Sequence, residues 1–192
     1  MKNVFPYGHF SKYKGVLSRS IQIAESRRIE YSKNNKITVF ISHKHDDLND
    51  LAALIDFLET RYNVESYIDS DDPQMPQTPN EETAKQIKHK IKSCNKFLLL
   101  ATDKAIQSKW CNWELGFGDA QKFEKNNIAL IPMSNNESSY IGNEYLKIYP
   151  HIVECTKDDM LSLGLSAEPG YYVKHKTNDE WFITPLSIWL EK

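Results

Sequence analysis

Long apolar runs are missing from this chain of 192 residues. The longest, such as "FLLLA" at 97–101, stop far short of the roughly 20 apolar residues that cross a bilayer. The opening "MKNVFPYGHF" has no apolar h-region, so no secretory leader is read there. Cysteine is scarce as well. Cys94, Cys111 and Cys155 are too few and too scattered for a disulfide framework, and no C-x-x-C pair suggests zinc. These absences predict a soluble, cytoplasmic protein in a reducing compartment, with no membrane partner. Internal repeats and low-complexity tracts are absent too, which argues against a solenoid or a linker-rich chain.

What is present suits one globular domain with extensions. With 40% hydrophobic and 26% charged residues, a chain of this length buries a core without disulfides or metal. The formal net charge of −2 hides an asymmetry: residues 1–36 hold eight Lys/Arg against two Glu, and the remainder holds 16 against 24 acids. A basic arm of this kind docks on an acidic body or solvates a helix more readily than it marks a nucleic-acid site. No nucleic-acid partner is expected.

Val16, Leu17, Ile21, Ile23, Ala24 and Ile29 lie among basic residues and predict a loosely amphipathic helix over 12–33. The turn signal "NNK" then marks a boundary, giving a basic helical arm over 1–35 and a main domain over 36–192. From there the pattern alternates. "ITVFIS" (37–42), "VESYID" (64–69), "KFLLLAT" (96–102), "IALIPM" (128–133) and "HIVEC" (151–155) read as strands, several of them apolar on both faces. Helical spacing follows the first strand at Leu48, Leu51, Leu54, Ile55 and Leu58. A second helix, carrying Ile87 and Ile91, starts after Asn80 as N-cap, with Glu81 and Glu82 suiting its dipole. "SDDPQMPQTPN" (70–80) reads as a loop, "YYVKHKTNDEWFIT" (171–184) as a hairpin, and "PLSIWLEK" as a short terminal helix. The fold class expected is α/β: a three-layer, flavodoxin-like sandwich on a central parallel five-stranded sheet, with an N-terminal helix and a C-terminal extension.

Such sheets bind ligands at the carboxyl ends of their strands, where the connections reverse direction. The loops after Ser42, Asp69 and Thr102 are therefore the places to search. "SHKHDD" (42–47) lacks the glycines of a dinucleotide fingerprint or a P-loop, so a phosphate there needs Lys44 or helix N–H groups. His43 and His45 lack a third ligand at fixed spacing, and no metal is expected. Asp46 and Asp47 sit where a phospho-accepting receiver domain has its acidic pair. Asp103 comes one residue late for that pattern, and "HIVEC" carries no lysine, so the receiver reading fails.

The densest chemistry lies in "SKWCNWELG" (108–116). On a helix, Trp110, Trp113, Phe117 and Ala120 form one stripe, expected to be mostly core. Glu114 follows Trp110 by one turn and sits beside that stripe. A carboxylate against indole near strand ends is a functional-site candidate, and a half-exposed structural glutamate is the plainer alternative. Spacing does not choose between them.

Taken together these segments resemble the Toll/interleukin-1 receptor (TIR) domain. "VFISHKHDD" (39–47) resembles its first box, with His43 in place of the usual aromatic and Lys44 in place of the usual arginine. "VESYIDSDD" (64–72) resembles the second strand and the start of the variable loop. "IKSCNKFLLLATDKAIQSKWCNWELG" (91–116) carries the most specific match, ending in Trp-Cys-x-x-Glu-Leu. "NIALIPM" fits the fourth strand, and the likeness spans roughly 36–155. Two features depart from the pattern: no serine or proline follows the third strand, and the loop prolines at 73, 76 and 79 come without a glycine.

The resemblance implies an activity. Enzymatic TIR domains cleave NAD+ at the nicotinamide–ribose bond, giving nicotinamide and ADP-ribose or a cyclic isomer, and their catalytic residue is the glutamate of this pattern. Carried over, that is Glu114, with Ser42, His43, Lys44, Asp69 and Trp110 as the expected substrate-binding residues. NAD+ is substrate; no cofactor and no metal are implied. A nearly bare domain of this kind resembles bacterial anti-phage TIR proteins, which implies self-association through TIR–TIR contacts and a separate effector that senses the product. The competing readings are a non-enzymatic TIR adaptor and a nucleoside-processing enzyme of similar fold, such as a deoxyribosyltransferase. The Trp-Cys-x-x-Glu box favours TIR over the last.

Overall fold

The computed structural model describes residues 1–15, 36–69 and 80–192. The helix expected over 12–33 lies almost wholly outside the described residues, as does the proline-bearing loop up to Asn80. Within them the five expected strands are all present: β1 (Thr38–Ser42), β2 (Glu65–Tyr67), β3 (Lys96–Thr102), β4 (Ile128–Met133) and β5 (His151–Cys155). All pair in parallel, in the order β2-β1-β3-β4-β5.

The expected hairpin forms as β6 (Gly170–Thr177) and β7 (Glu180–Pro185). It does not stand apart. β6 joins β5 antiparallel, so the sheet grows to seven strands. Asn178 and Asp179 at its tip have φ of 50° and 65°. Two successive left-handed residues make the kind of two-residue turn whose twist matches that of the strands.

Seven helices cover the sheet among the described residues: α1 (Leu48–Tyr62), α2 (Glu81–Ser93), α3 (Asp103–Gln107), α4 (Lys109–Lys122), α5 (Asn143–Ile148), α6 (Lys157–Ser162) and α7 (Leu186–Glu191). The short α3, α5 and α6 carry too little periodicity to be read from sequence. Caps set the boundaries of the longer ones. Asn80 accepts from Thr83 N at 3.0 Å in a reciprocal capping box at the start of α2. Ser108 accepts from Cys111 N at the start of α4. Left-handed Asn63 (φ 54°) closes α1.

The strands alternate their side chains between the two faces of the sheet, as period-two geometry requires, with two large cores and a small third cluster at Val153, Cys155, Met160 and Tyr172. Val39 and Ile41 of β1, with Leu98 and Leu100 of β3, face a core built with α1, α7 and the N-terminal Phe5 and Phe10. Phe40, Phe97 and Leu99 face the other core, with Ile87 and Ile91 of α2 and Cys111 and Leu115 of α4. Phe10 packs at a tilt against Phe57 of α1 with ring centroids 4.9 Å apart, and bridges tie Lys2 to Glu154 and Phe5 to Met133. No described helix is long and apolar enough to cross a membrane.

β1 has β2 on one side and β3 on the other. The chain leaves β1 in one direction and returns on its far side, which opens a crevice at the carboxyl ends of β1 and β3. Ser42 and Thr102 end those two strands.

Candidate active site

Helix α4 begins beside this crevice, where Cys111 meets the loop after β1, and packs along β3, so its seating decides the site. Its buried residues are Cys111, Glu114, Leu115, Gly118 and Lys122, one face at helical spacing. The expected core stripe of Trp110, Trp113, Phe117 and Ala120 is corrected here. The three aromatic residues are only half-buried and Ala120 is exposed. Gly118 explains the choice of face. A Cβ at that position would lie 2.9 Å from the Phe97 ring, so only glycine lets the helix come this close to β3. The bulky row is turned aside toward α2, where Trp110 and Trp113 pack with centroids 4.9 Å apart. Lys88 lies 5.6 Å from the Trp113 ring centroid, a cation–π contact at the rim.

Turning the tryptophans aside brings Glu114 inward. It is only 2% exposed, so the half-exposed structural glutamate is not what the fold contains. Ser42 Oγ donates a hydrogen bond to Glu114 Oε2 at 2.5 Å. Burial pushes the Glu114 carboxyl up to about 8. The Ser42 hydroxyl opposes that by favouring the charged form, the negative Asp69 adds to it, and Trp110 opposes it weakly. The carboxyl is therefore largely protonated at neutral pH, and a cation entering beside it would draw the proton off.

The other candidate residues gather around this pair. His43 is buried; its Nδ1 lies 3.3 Å from Ile41 O and 3.9 Å from Asp69 Oδ1. Asp69 is partly exposed two residues beyond β2, and its charge is felt at Glu114. Lys44 is half-buried, and its charge is felt at Cys111. Trp110 stands one turn before Glu114 on α4, half-buried against Trp113 and close enough to favour the charged form of the carboxyl weakly.

Two residues that spacing does not single out brace the site. Cys111 Sγ donates to His43 O at 3.3 Å, pinning the loop after β1 to α4. Burial raises its thiol, so it stays protonated as a donor. Asp47 accepts from Thr102 Oγ1 at 2.5 Å, and Thr102 Oγ1 also caps α3 through Ala105 N. That bond ties the loops after β1 and β3 together. The cysteine in the Trp-Cys-x-x-Glu box was a signal for the first; the second stood in the sequence only as half of an acidic pair, with no sign of its bond to Thr102. Asp103 accepts from Ser134 Oγ at 2.9 Å and from the Ile141 amide. It thus serves the β4 loop and is not paired with Asp46 or Asp47. No group of three or more His, Cys, Asp or Glu is arranged to hold a metal among the described residues.

Comparison with known proteins gives two findings. A family model described as TIR domain matches residues 39–156. The chain is also 29% identical over 153 residues to a protein of Bacillus cereus (strain MSX-D12) named "Probable 3' cyclic ADP-D-ribose synthase ThsB'", covering 77% of this chain and 75% of that one.

Proposed function

The chain belongs to the TIR domain family, and from that premise we propose that it cleaves NAD+ at the nicotinamide–ribosyl bond, with Glu114 as the catalytic carboxylate. The products are nicotinamide and ADP-ribose or a cyclic isomer. The observation that carries this reading is the position of Glu114: buried, at the switch point of the sheet, and held by Ser42. The Bacillus cereus relative, named as a probable 3' cyclic ADP-D-ribose synthase, supports the same chemistry.

The physics follows from the leaving group. The nicotinamide of NAD+ is a pyridinium, so the buried acid near it loses its proton and the two charges pair. When the glycosidic C–N bond breaks, its electron pair goes to the ring nitrogen and nicotinamide departs neutral, needing no proton. The ribosyl carbon becomes oxocarbenium-like, and the ionised Glu114 stabilises that positive charge and holds the ribose hydroxyls. Water captures the cation to give ADP-ribose, or a nucleophile of the same molecule captures it to give a cyclic product. Where the capturing group is water or a hydroxyl, its proton passes to the ionised Glu114 carboxylate or to bulk water, which restores the resting acid. Ser42 is a positioning residue through its bond to Glu114. Trp110 walls the sugar or nicotinamide, and Lys44 is the cation available to the phosphates. A product released to a separate effector, self-association through TIR–TIR contacts and a role in anti-phage defence belong to this reading.

Incubation of the purified protein with NAD+, alone and crowded, with chromatography of the products, tests it. Loss of NAD+ that Glu114→Gln abolishes supports the assignment. Parental turnover by Glu114→Ala overturns it, and no turnover under any condition favours an adaptor.

A further inference from the structure

At the opposite pole of the sheet, the amino ends of β1, β3 and β4 enclose a second cavity of about 290 Å³. Its lining includes Lys92, Lys96, Lys122, Lys125, Lys192 and Asn127, and no Asp or Glu side chain is among its described lining residues. Five lysines on one concavity stand out in a chain whose net charge is −2. The cavity lies at the lower end of ligand-site volumes, which run from roughly 300 Å³ upward. Its lining residue Lys122 lies roughly 12 Å along α4 from Glu114.

Two of these lysines are buried. Lys96 is 1% exposed and Lys122 8%. Lys122 has a structural role in part: its Nζ donates to Lys92 O at 3.1 Å and to Cys94 O, closing the carboxyl end of α2. Among the described residues, Lys96 closes no helix end and is held to the turn before β4 by a single hydrogen bond. Its Nζ donates to Asn127 Oδ1 at 2.5 Å and lies 4.6 Å from the Trp189 ring centroid, and no carboxylate meets it among the described residues. A leucine or methionine would fill the core at this position without a buried charge, which is costly unless paired. Burial, followed by repulsion from Lys122 and Lys192, depresses the Lys96 ammonium to about 8. All three side chains line the same cavity.

We propose that this cavity is a binding site for a small phosphate-bearing anion, separate from the Glu114 site. The anion sits between Lys96 and Lys122 and takes donor hydrogens that the protein leaves free, with Lys92, Lys125 and Lys192 closing the rim. The volume fits a phosphate or diphosphate group and not a whole dinucleotide. The bond from Lys122 to the end of α2, and the position of Lys122 on α4 itself, place the anion on the helix that carries Glu114.

The test is titration of the full chain with inorganic phosphate, pyrophosphate and ADP at low ionic strength, followed by amide NMR shifts. Shifts are expected at Lys96, Lys122 and Asn127, and to survive Glu114→Gln. Lys96→Met should weaken the tightest probe by about tenfold or more, and added salt should weaken it further. The inorganic and nucleotide arms show whether phosphate alone is recognised. If Lys96→Met does not fold, the exposed pair Lys92→Gln and Lys125→Gln is expected to weaken binding severalfold. No shift at these amides with any probe up to about 10 mM, or shifts unchanged by the substitutions, overturns the proposal.

Discussion

Ser42 and Glu114 stand 72 residues apart in the chain, and the Ser42 hydroxyl is bonded to the Glu114 carboxyl in the buried crevice. One ends the first strand and the other sits in α4, the second helix after β3. The bond joins the switch point of the sheet to the one carboxylate that α4 buries. Four predictions rest on it and on the seating of α4.

Glu114→Gln removes the charge and keeps the shape. NAD+ turnover should fall by about 10³-fold or more, with the native fold retained. The stability effect has a definite sign. The folded-state carboxyl titrates near 8, against 4.5 ordinarily, so the folded protein holds this proton more tightly. Stability from Glu114 is full below about 4.5 and is lost as pH rises through about 8. Thermal denaturation from pH 5 to 9 should show a fall in the parent that is flatter in the Gln variant.

Catalysis should show the opposite slope. If the ionised carboxylate is the active form, kcat/KM for NAD+ rises with pH and levels off above the free-enzyme value of about 8. The profile of kcat should lie at lower pH, because the bound pyridinium favours the charged form. Initial rates across pH 6 to 9 check both.

Ser42→Ala and Asp69→Asn should move that profile in opposite directions. Ser42 favours the carboxylate and Asp69 disfavours it. Loss of the Ser42 bond shifts the profile upward and lowers kcat/KM at pH 7 by about 10- to 100-fold, the worth of a hydrogen bond to a charged group. Asp69→Asn shifts it downward. A shared direction of shift would contradict the electrostatic account of the site.

Gly118→Ala tests the seating of α4. Its Cβ would meet Phe97 at 2.9 Å, an overpacking worth about 1–3 kcal/mol. Urea denaturation should show that loss, and Phe97→Leu in the same chain should recover part of it. Because α4 would be lifted from the sheet, turnover should fall with stability.

Much of the architecture is legible one residue at a time. The alternation of apolar runs and helical spacing announces a parallel sheet with helices on both faces. Asn80, Ser108 and the Asn178-Asp179 tip announce where elements begin and turn, since caps and turns are made by nearby residues. The Trp-Cys-x-x-Glu box marks Glu114, although its spacing leaves the side chain's burial open.

The tertiary structure decided the rest. Which face of α4 goes inward was not written in its hydrophobic bulk, because the tryptophans are larger than the residues that are buried. A close approach at Gly118 and Phe97 settled it, and that contact joins distant parts of the chain. The same holds for the Ser42–Glu114 bond, the burial of Phe5 and Phe10, and the convergence of Lys96 and Lys122. Periodicity and turn chemistry are local and survive in a linear pattern; the proton held on Glu114 depends on what the folded chain packs around it.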